Sequence, residues 1–505
     1  MKKESGAILV TLAVLFGIWL GMKYNPGAQT ERLQKYEELF EYIEQAYVDS
    51  VNVDSLADLG LEHILHLLDP HSTYISGLEM DRISEEMNGN FQGIGVEFTL
   101  YKDTLIFMRV LNNSPAKAAG LYAGDRVFAV EGDTMVGPQY NSDDFAARIK
   151  GPAGTSVQLS IHRQEGDTVI DVLRDYIPLE SVTGVHMLND TVGILSINRF
   201  GEQTYDEFVA AANKLLNAGM KRLVVDLRDN PGGLMNQSTF IADEFLEQGR
   251  TIVSTRYRNG DEIVTTSTRA GRLKDIPVAL LMNELSASAS EVLAGAIQDN
   301  DRGIIVGRQS FGKGLVQEES FLPDGSVVRL TVAYYYTPSG RSIQKPFNGG
   351  DYLQEASVDS AVFLSDSGKV LYGGGGIAPD VEVVYQPHLT RDFMNGTIYL
   401  FTFEELDQNR SKYSYVHVED FNEGFEPDTA LMNGFLRYGG YGIRLEDLGA
   451  EAKQDLAKRL KLQLGQHLFG NSEAAVLRFA EDPFIQSVLQ YWAPNMDAVG
   501  LYGRE

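Results

Sequence analysis

Apolar residues at Leu33, Tyr36, Phe40, Ile43 and Tyr47 recur every three or four positions, and Leu61, Ile64, Leu65 and Leu68 repeat that spacing before Asp69-Pro70. The period predicts two helices within residues 30–70, a small helical unit. From Phe91 the rhythm shortens. β-like runs at 94–99, 105–110, 127–130, 157–161 and 169–173 are separated by glycine-rich turns and by two short helical stretches, 116–120 and 143–150. Such a set predicts one compact domain.

From about residue 177 the apolar runs become continuous. Runs at 192–197, 223–227, 278–282 and 304–306 alternate with helical patterns at 205–217, 235–246 and 290–299. Strands without a polar face that alternate with helices predict a sheet buried on both sides, an α/β core. A longer run at 327–336 reads as an antiparallel strand. Beyond Tyr385 the signal thins to one amphipathic helix on Leu456, Leu460, Leu464 and Leu468, with further helices at 474–479 and 484–492. The divisions that follow are 1–24, a membrane anchor or signal segment; 25–88, a helical region; 89–176, a small β-rich domain; 177–388, the α/β core; and 389–505, an extension of no assigned role.

Gly6 to Met22 is a seventeen-residue stretch without a charge. At about 1.5 Å per residue it makes a short but sufficient membrane span. An uncleaved anchor is the expectation; Gly27-Ala28-Gln29 is a poor processing site for the rival signal peptide. Lys2 and Lys3 precede the apolar run, so the positive-inside bias sends the rest of the chain across the membrane. The 505 residues carry 43 Lys+Arg against 70 Asp+Glu, a formal net charge of −27 that repels phosphate backbones and argues against nucleic-acid partners. Cysteine is absent, which removes disulfides, thiolate metal sites and cysteine nucleophiles together.

Three segments carry candidate chemistry. In residues 278–300 a buried strand turns into a helix among serines, with Ser288 between Ala287 and Ala289. Such a turn presents a hydroxyl at the carboxyl end of a sheet with backbone N–H groups beside it; the plain alternative is a helix start, in which Ser288 and Glu291 form a capping box. A serine nucleophile needs a base. None of the eight histidines lies in the α/β motifs, and His63, His66 and His71 read as helix-face or capping residues. A lysine can serve where burial pushes its pKa toward neutrality. Lys313 is that candidate, between Gly312 and Gly314 and beside Phe311, with the Gln317 amide four residues on to hold the amine. Residues 307–314 nearly match a phosphate loop, but Gly314 stands where the metal-binding hydroxyl belongs, and strand rather than helix follows. The third segment, 223–235, places Gly232-Gly233 where backbone amides can face an anion; an ordinary strand-to-helix turn is the alternative.

Together Asn230 to Gly233 (NPGG), Ser286 to Glu291 (SASASE) and Gly307 to Gln317 (GRQSFGKGLVQ) closely resemble the C-terminal processing peptidases, or tail-specific proteases, a family of serine peptidases. The likeness extends through LDPHSTY at 68–74, FQGIGVEF at 91–98, 114–127, TPSGRSIQ at 337–344 and GGIAPDV at 375–381. It covers roughly residues 30–386. The resemblance implies a multidomain α+β chain: a helical N-terminal unit, a PDZ domain built as a β-sandwich or barrel with two helices, a mixed α/β crotonase-like peptidase core and a helical C-terminal extension. It implies Ser288 as nucleophile, Lys313 as general base, Gln317 as the residue orienting the lysine, and an oxyanion hole from the backbone N–H of Ala289 with that of Gly232 or Gly233. It further implies ATP-independent cleavage of proteins near their C-termini, with no metal and no cofactor.

The PDZ domain would grip unfolded or tagged tails at Phe91, Gln92, Gly93, Ile94 and Gly95, and Arg126 is a candidate to link its occupancy to the core. The expected setting is the bacterial envelope, on the periplasmic side of the inner membrane, or the periplasm if the N-terminus is cleaved. A homo-oligomer or an adaptor stays open. Two other classes compete: a catalytically silent PDZ scaffold, and an acyl-ester hydrolase or acyltransferase on the same core.

Overall fold

The continuous apolar runs assemble into one six-stranded sheet, ordered Val182–Met187, Val192–Ile197, Arg222–Asp226, Val278–Met282, Gly303–Gly307 and Val381–Glu382. The first strand is antiparallel to its neighbour and the rest are parallel. Residues alternate between two faces, and both are covered. Leu195, Leu223, Val225, Leu280 and Ile305 pack on the helices Thr204–Asn217, Met235–Asp243 and Ala289–Asp299. Ile194, Val224, Ala279, Leu281 and Val306 pack on Phe479, Phe484, Ile485 and Val488. Those last four come from the helices Asn471–Phe479 and Pro483–Tyr491. The distant end of the chain is therefore the second helical layer of the core, a role that its thin sequence signal did not disclose.

The structure is a computed structural model that describes residues 26–101, 103–163, 166–353, 361–384, 396–479 and 482–493. The apolar 6–22 stretch and its expected anchor lie outside the described residues. Among the described residues, no helix is long and apolar enough to cross a membrane.

A second sheet flanks the first. The expected long strand Val327–Tyr336 is antiparallel to Thr73–Ile75, Thr251–Tyr257 and Leu315–Phe321, and Glu262–Thr266 completes it. Its polar strand Glu262–Thr266 has the burial of a surface hairpin, which is why hydrophobic period alone did not signal it.

The β-rich domain follows the expected elements closely. Strands Val96–Tyr101, Thr104–Val110, Arg126–Val130, Ser156–Arg163 and Gly166–Leu173 pair antiparallel in that order around Leu105, Phe107, Val127, Phe145 and Leu159. The helix Ser142–Ile149 closes the barrel, started by a reciprocal cap between Asn141 and Asp144. Val96–Tyr101 is an edge strand, so a groove runs between it and this helix. Gly95 enters that strand at φ 79°, where a Cβ would stand 2.4 Å from Ser114 Cβ. Only glycine fits that approach.

The C-terminal helices between residues 397 and 469 pack on their own core, centred on Phe421, Phe435, Leu456 and Leu460. They also grip the β-rich domain. Phe403 packs on Ile106 and Met108, and Arg126 pairs with Asp407 at 3.0 Å. The expected link from Arg126 to the core is thus replaced by a link to the extension.

Phe484 is 4% exposed and carries Arg228 over its ring at 4.8 Å. Phe484→Ala should cost about 3–5 kcal/mol in urea unfolding. A cost below about 1 kcal/mol would show that the terminal helices are not a layer of the core.

Candidate active site

Ser288 is the residue at which the strand Val278–Met282 turns into the helix Ala289–Asp299. Its φ of 55° and ψ of −114° lie in a region that costs an L residue about 1–3 kcal/mol and persists only where neighbours impose it. Such strain at a strand-to-helix turn holds a hydroxyl out from the end of a sheet. The neighbours are identifiable. Buried Asn230 accepts the Ala287 N–H at 3.0 Å and the Ser290 hydroxyl at 3.1 Å through its carbonyl, while its own amide donates to Ile197 at 2.7 Å. The Ser286 hydroxyl donates to the Leu227 carbonyl at 2.8 Å. The 228–233 turn and the serine turn are therefore one bonded unit.

The two glycines of that unit differ. Gly232 N–H donates to Asn230 Oδ1 at 2.8 Å and is spent. Gly233 N–H and Ala289 N–H have no acceptor among the described residues. Of the three backbone groups expected at an oxyanion, Gly233 and Ala289 are thus the free pair. Gly232 is needed for space, since a Cβ there would stand 2.7 Å from Ser288 Cβ.

Lys313 lies in the same cleft, and its Nζ donates to Gln317 Oε1 at 2.7 Å. Burial pushes its pKa down to about 8, helped by the positive charge of Arg329 and opposed by Asp69 and Glu291. Gln317 is itself held, because its Nε2 donates to the His71 carbonyl at 2.6 Å. The loop carrying that carbonyl is folded by Asp69, which accepts the N–H groups of His71 and Ser72 at 2.8 Å and the Ser72 hydroxyl at 2.6 Å. Burial works to raise the Asp69 pKa, but these hydrogen bonds prevail and hold it low. Among the described residues no hydrogen bond joins Ser288 Oγ to Lys313 Nζ.

His71 thus reaches the site through its backbone, which corrects its assignment as a capping or helix-face residue. Its ring packs edge-on against Phe311 and bonds the Tyr352 hydroxyl at 2.7 Å. Burial, then the Lys313 charge, press its pKa down to about 4, so the ring is neutral near pH 7.

Glu291 is the residue whose role as a helix cap is only part of what it does. Its side chain does accept the Ser288 N–H, as a capping box requires. The carboxylate does far more. Oε2 accepts the N–H groups of Ser288 at 2.8 Å and Lys313 at 2.9 Å, and Oε1 accepts Gly312 N–H at 2.7 Å and the Ser310 hydroxyl at 2.5 Å. The group is fully buried, and burial pushes its pKa up to about 7 against those four donors. The only sequence signal was an acidic residue at the third helical position. Tyr335 adds a second tie, since its hydroxyl donates to the Lys313 carbonyl at 2.5 Å.

Ser288, Ala289, Gly232, Gly233, Lys313 and Gln317 all line one cleft of about 680 Å³, joined by Arg329 and Tyr335. A second hollow of about 270 Å³ lies in the groove of the β-rich domain, where Phe91, Gly93, Ile94 and Gly95 line it. The Gln92 side chain is used elsewhere, accepting the Ala153 N–H at 2.8 Å. Ile94 and Gly95 N–H groups have no acceptor among the described residues.

Above pH 8, Glu291→Gln should cost about 2–4 kcal/mol in denaturant unfolding, because an amide NH2 facing N–H donors leaves buried groups unpaired. A loss under about 0.5 kcal/mol would contradict the clamp.

Residues 191–383 match the model of peptidase family S41, and residues 389–470 match a family of unknown function. The chain is 36% identical over 321 residues to the carboxy-terminal-processing protease of Bartonella bacilliformis, covering 62% of this chain and 73% of that one. It is 31% identical over 328 residues to the carboxy-terminal processing protease CtpA of Bacillus subtilis, covering 65% and 69%. A solved photosystem II D1 C-terminal processing protease aligns at 24% identity and a TM-score of 0.35, over 69% of this chain and 92% of that one. The extent of the sequence identity settles the affiliation: this chain belongs to peptidase family S41, with the carboxy-terminal processing serine proteases among its relatives.

Proposed function

We propose that Ser288 is the nucleophile and Lys313 the general base of a peptidase that cleaves protein tails, with the groove of the PDZ domain holding the free C-terminus. The observation that carries this reading is a depressed lysine and a strained serine lining one cleft. Gln317 Oε1 takes one N–H of the amine, which leaves the lone pair of neutral Lys313 for the Ser288 proton once the side chain turns toward it. The alkoxide attacks the scissile carbonyl, and the N–H groups of Gly233 and Ala289 meet the oxyanion. Lysine then returns its proton to the leaving amine, and water repeats the sequence on the acyl-enzyme.

The tail adds as a strand along Val96–Tyr101, its carboxylate facing the free N–H groups of Ile94 and Gly95. Tethering raises the concentration of a disordered chain at Ser288, so unfolded substrates are favoured over folded ones. The same proposal sets the chain in the bacterial envelope, held to the inner membrane by residues 6–22 with its body on the periplasmic side. The charge-free run behind Lys2 and Lys3 supports that location.

Ser288→Ala and Lys313→Ala should each reduce cleavage of an unstructured peptide by at least about a thousandfold while the fold stays intact by circular dichroism. Wild-type turnover by either variant would overturn the assignment.

The base works only as the neutral amine, so kcat/KM should rise with pH through about 8 and fall about tenfold for each unit below. Arg329→Gln removes a charge that lowers the lysine pKa, and its profile should move to higher pH. A shift to lower pH would contradict the electrostatic account.

A further inference from the structure

The helix Gly77–Asn88 stands between the two hollows and belongs to both. Met80, Ile83, Ser84 and Met87 share one side of it at helical spacing and line the cleft of Ser288. Arg82 and Glu85 lie on the opposite side and line the PDZ groove, and Glu86 lines both hollows. No residue of this helix is fully buried. It is fixed chiefly near its ends: Ser76 caps its start, and the carbonyls of Glu86 and Met87 accept from Arg199 Nε at 3.0 Å and Glu202 N–H at 2.7 Å.

Between those ends one ion pair ties it to the PDZ domain. Glu85 Oε2 lies 2.6 Å from Lys150 Nζ, and that ammonium sits over the Phe91 ring at 5.4 Å. Lys150 follows the helix Ser142–Ile149 and lines the same hollow as Ile94 and Gly95, whose N–H groups are free. Of the two cations that line this groove, Arg82 and Lys150, the one beside Phe91 is therefore already matched with a carboxylate from the chain itself.

Building on the proposal that this groove takes substrate tails, we infer that Glu85 is an internal stand-in for the substrate's terminal carboxylate, and that an incoming tail displaces it from Lys150. The ligand class is an unstructured chain end with a free α-carboxylate and an apolar last side chain, because Phe91, Ile94, Val96, Phe98 and Ile149 supply the rest of the lining. Displacement frees the middle of a helix whose other side is a wall of the catalytic cleft. Tail binding thereby changes the cleft without any contact between the tail and Ser288. A half-exposed ion pair suits this exchange, since it is weak enough for a competitor to replace.

The test uses the full chain carrying Ser288→Ala and a fluorescent unstructured peptide ending in valine, either as the free acid or as its C-terminal amide. Glu85→Gln should tighten free-acid binding about twofold to fivefold and leave the amide unchanged. Lys150→Gln should weaken the free acid and also leave the amide unchanged. Unchanged or weaker free-acid binding by Glu85→Gln would overturn the inference, as would equal effects on acid and amide. A second arm keeps Ser288 and follows cleavage of an amidated quenched reporter. Added free-acid peptide should accelerate wild type, whereas Glu85→Gln should start faster and respond less; identical basal rates and responses would refute the coupling. If wild type cleaves nothing, the proposed activity fails, while the binding arm still decides the role of Glu85.

Discussion

One buried carboxylate holds this site together. Glu291 accepts hydrogen bonds from the N–H groups of Ser288, Gly312 and Lys313 and from the Ser310 hydroxyl, joining the serine turn to the lysine loop. Burying a carboxylate is costly, and leaving N–H groups unpaired in the interior is costly too. Here the two costs offset each other. The irregular 310–313 loop cannot satisfy all these groups by regular pairing, and a helix start always leaves donors over. One anion meets both needs and in doing so over-determines a backbone conformation that Ser288 would otherwise leave.

The rest of the chemistry is arranged around that clamp. With its backbone fixed, the Lys313 side chain is largely buried in a cleft that Arg329 also lines, and both the burial and that charge disfavour the ammonium. Its amine is then positioned by a relay running through Gln317 to the His71 carbonyl and, through the folding of that loop, to Asp69. The N-terminal helical region is thus part of the site, although none of its side chains carries a proton in the proposed reaction. On the other side, Asn230 welds the 228–233 turn to the serine turn, where Gly233 N–H has no acceptor among the described residues.

The sequence made the strands of both β-rich and α/β regions legible because each buries an unmistakable apolar period. Ser288, Lys313 and Gln317 stood out through the residues around them, and all three line one cleft. Glu291 did not, because an acidic residue three places into a helix has an ordinary explanation as a cap. His71 did not either, since its contribution is a carbonyl oxygen, which every residue possesses. The role of residues 471–491 was hidden for a different reason. A helix covering the far face of a sheet shows the same amphipathic pattern whichever sheet it covers, and only tertiary packing reveals that Phe479 and Phe484 complete the peptidase core. The ion pair of Glu85 with Lys150 spans 65 positions, and no local pattern encodes it.

The central claim is that the fold keeps Lys313 neutral enough to act as a base. Carbon-13 NMR of the full chain labelled at lysine Cε reads that directly, with Lys313→Arg identifying the resonance. The account predicts a titration midpoint near 8, moving up toward the ordinary lysine value of 10.5 when Arg329→Gln removes a positive charge that lowers it. A Lys313 midpoint at 10.5 in the otherwise intact chain would contradict it.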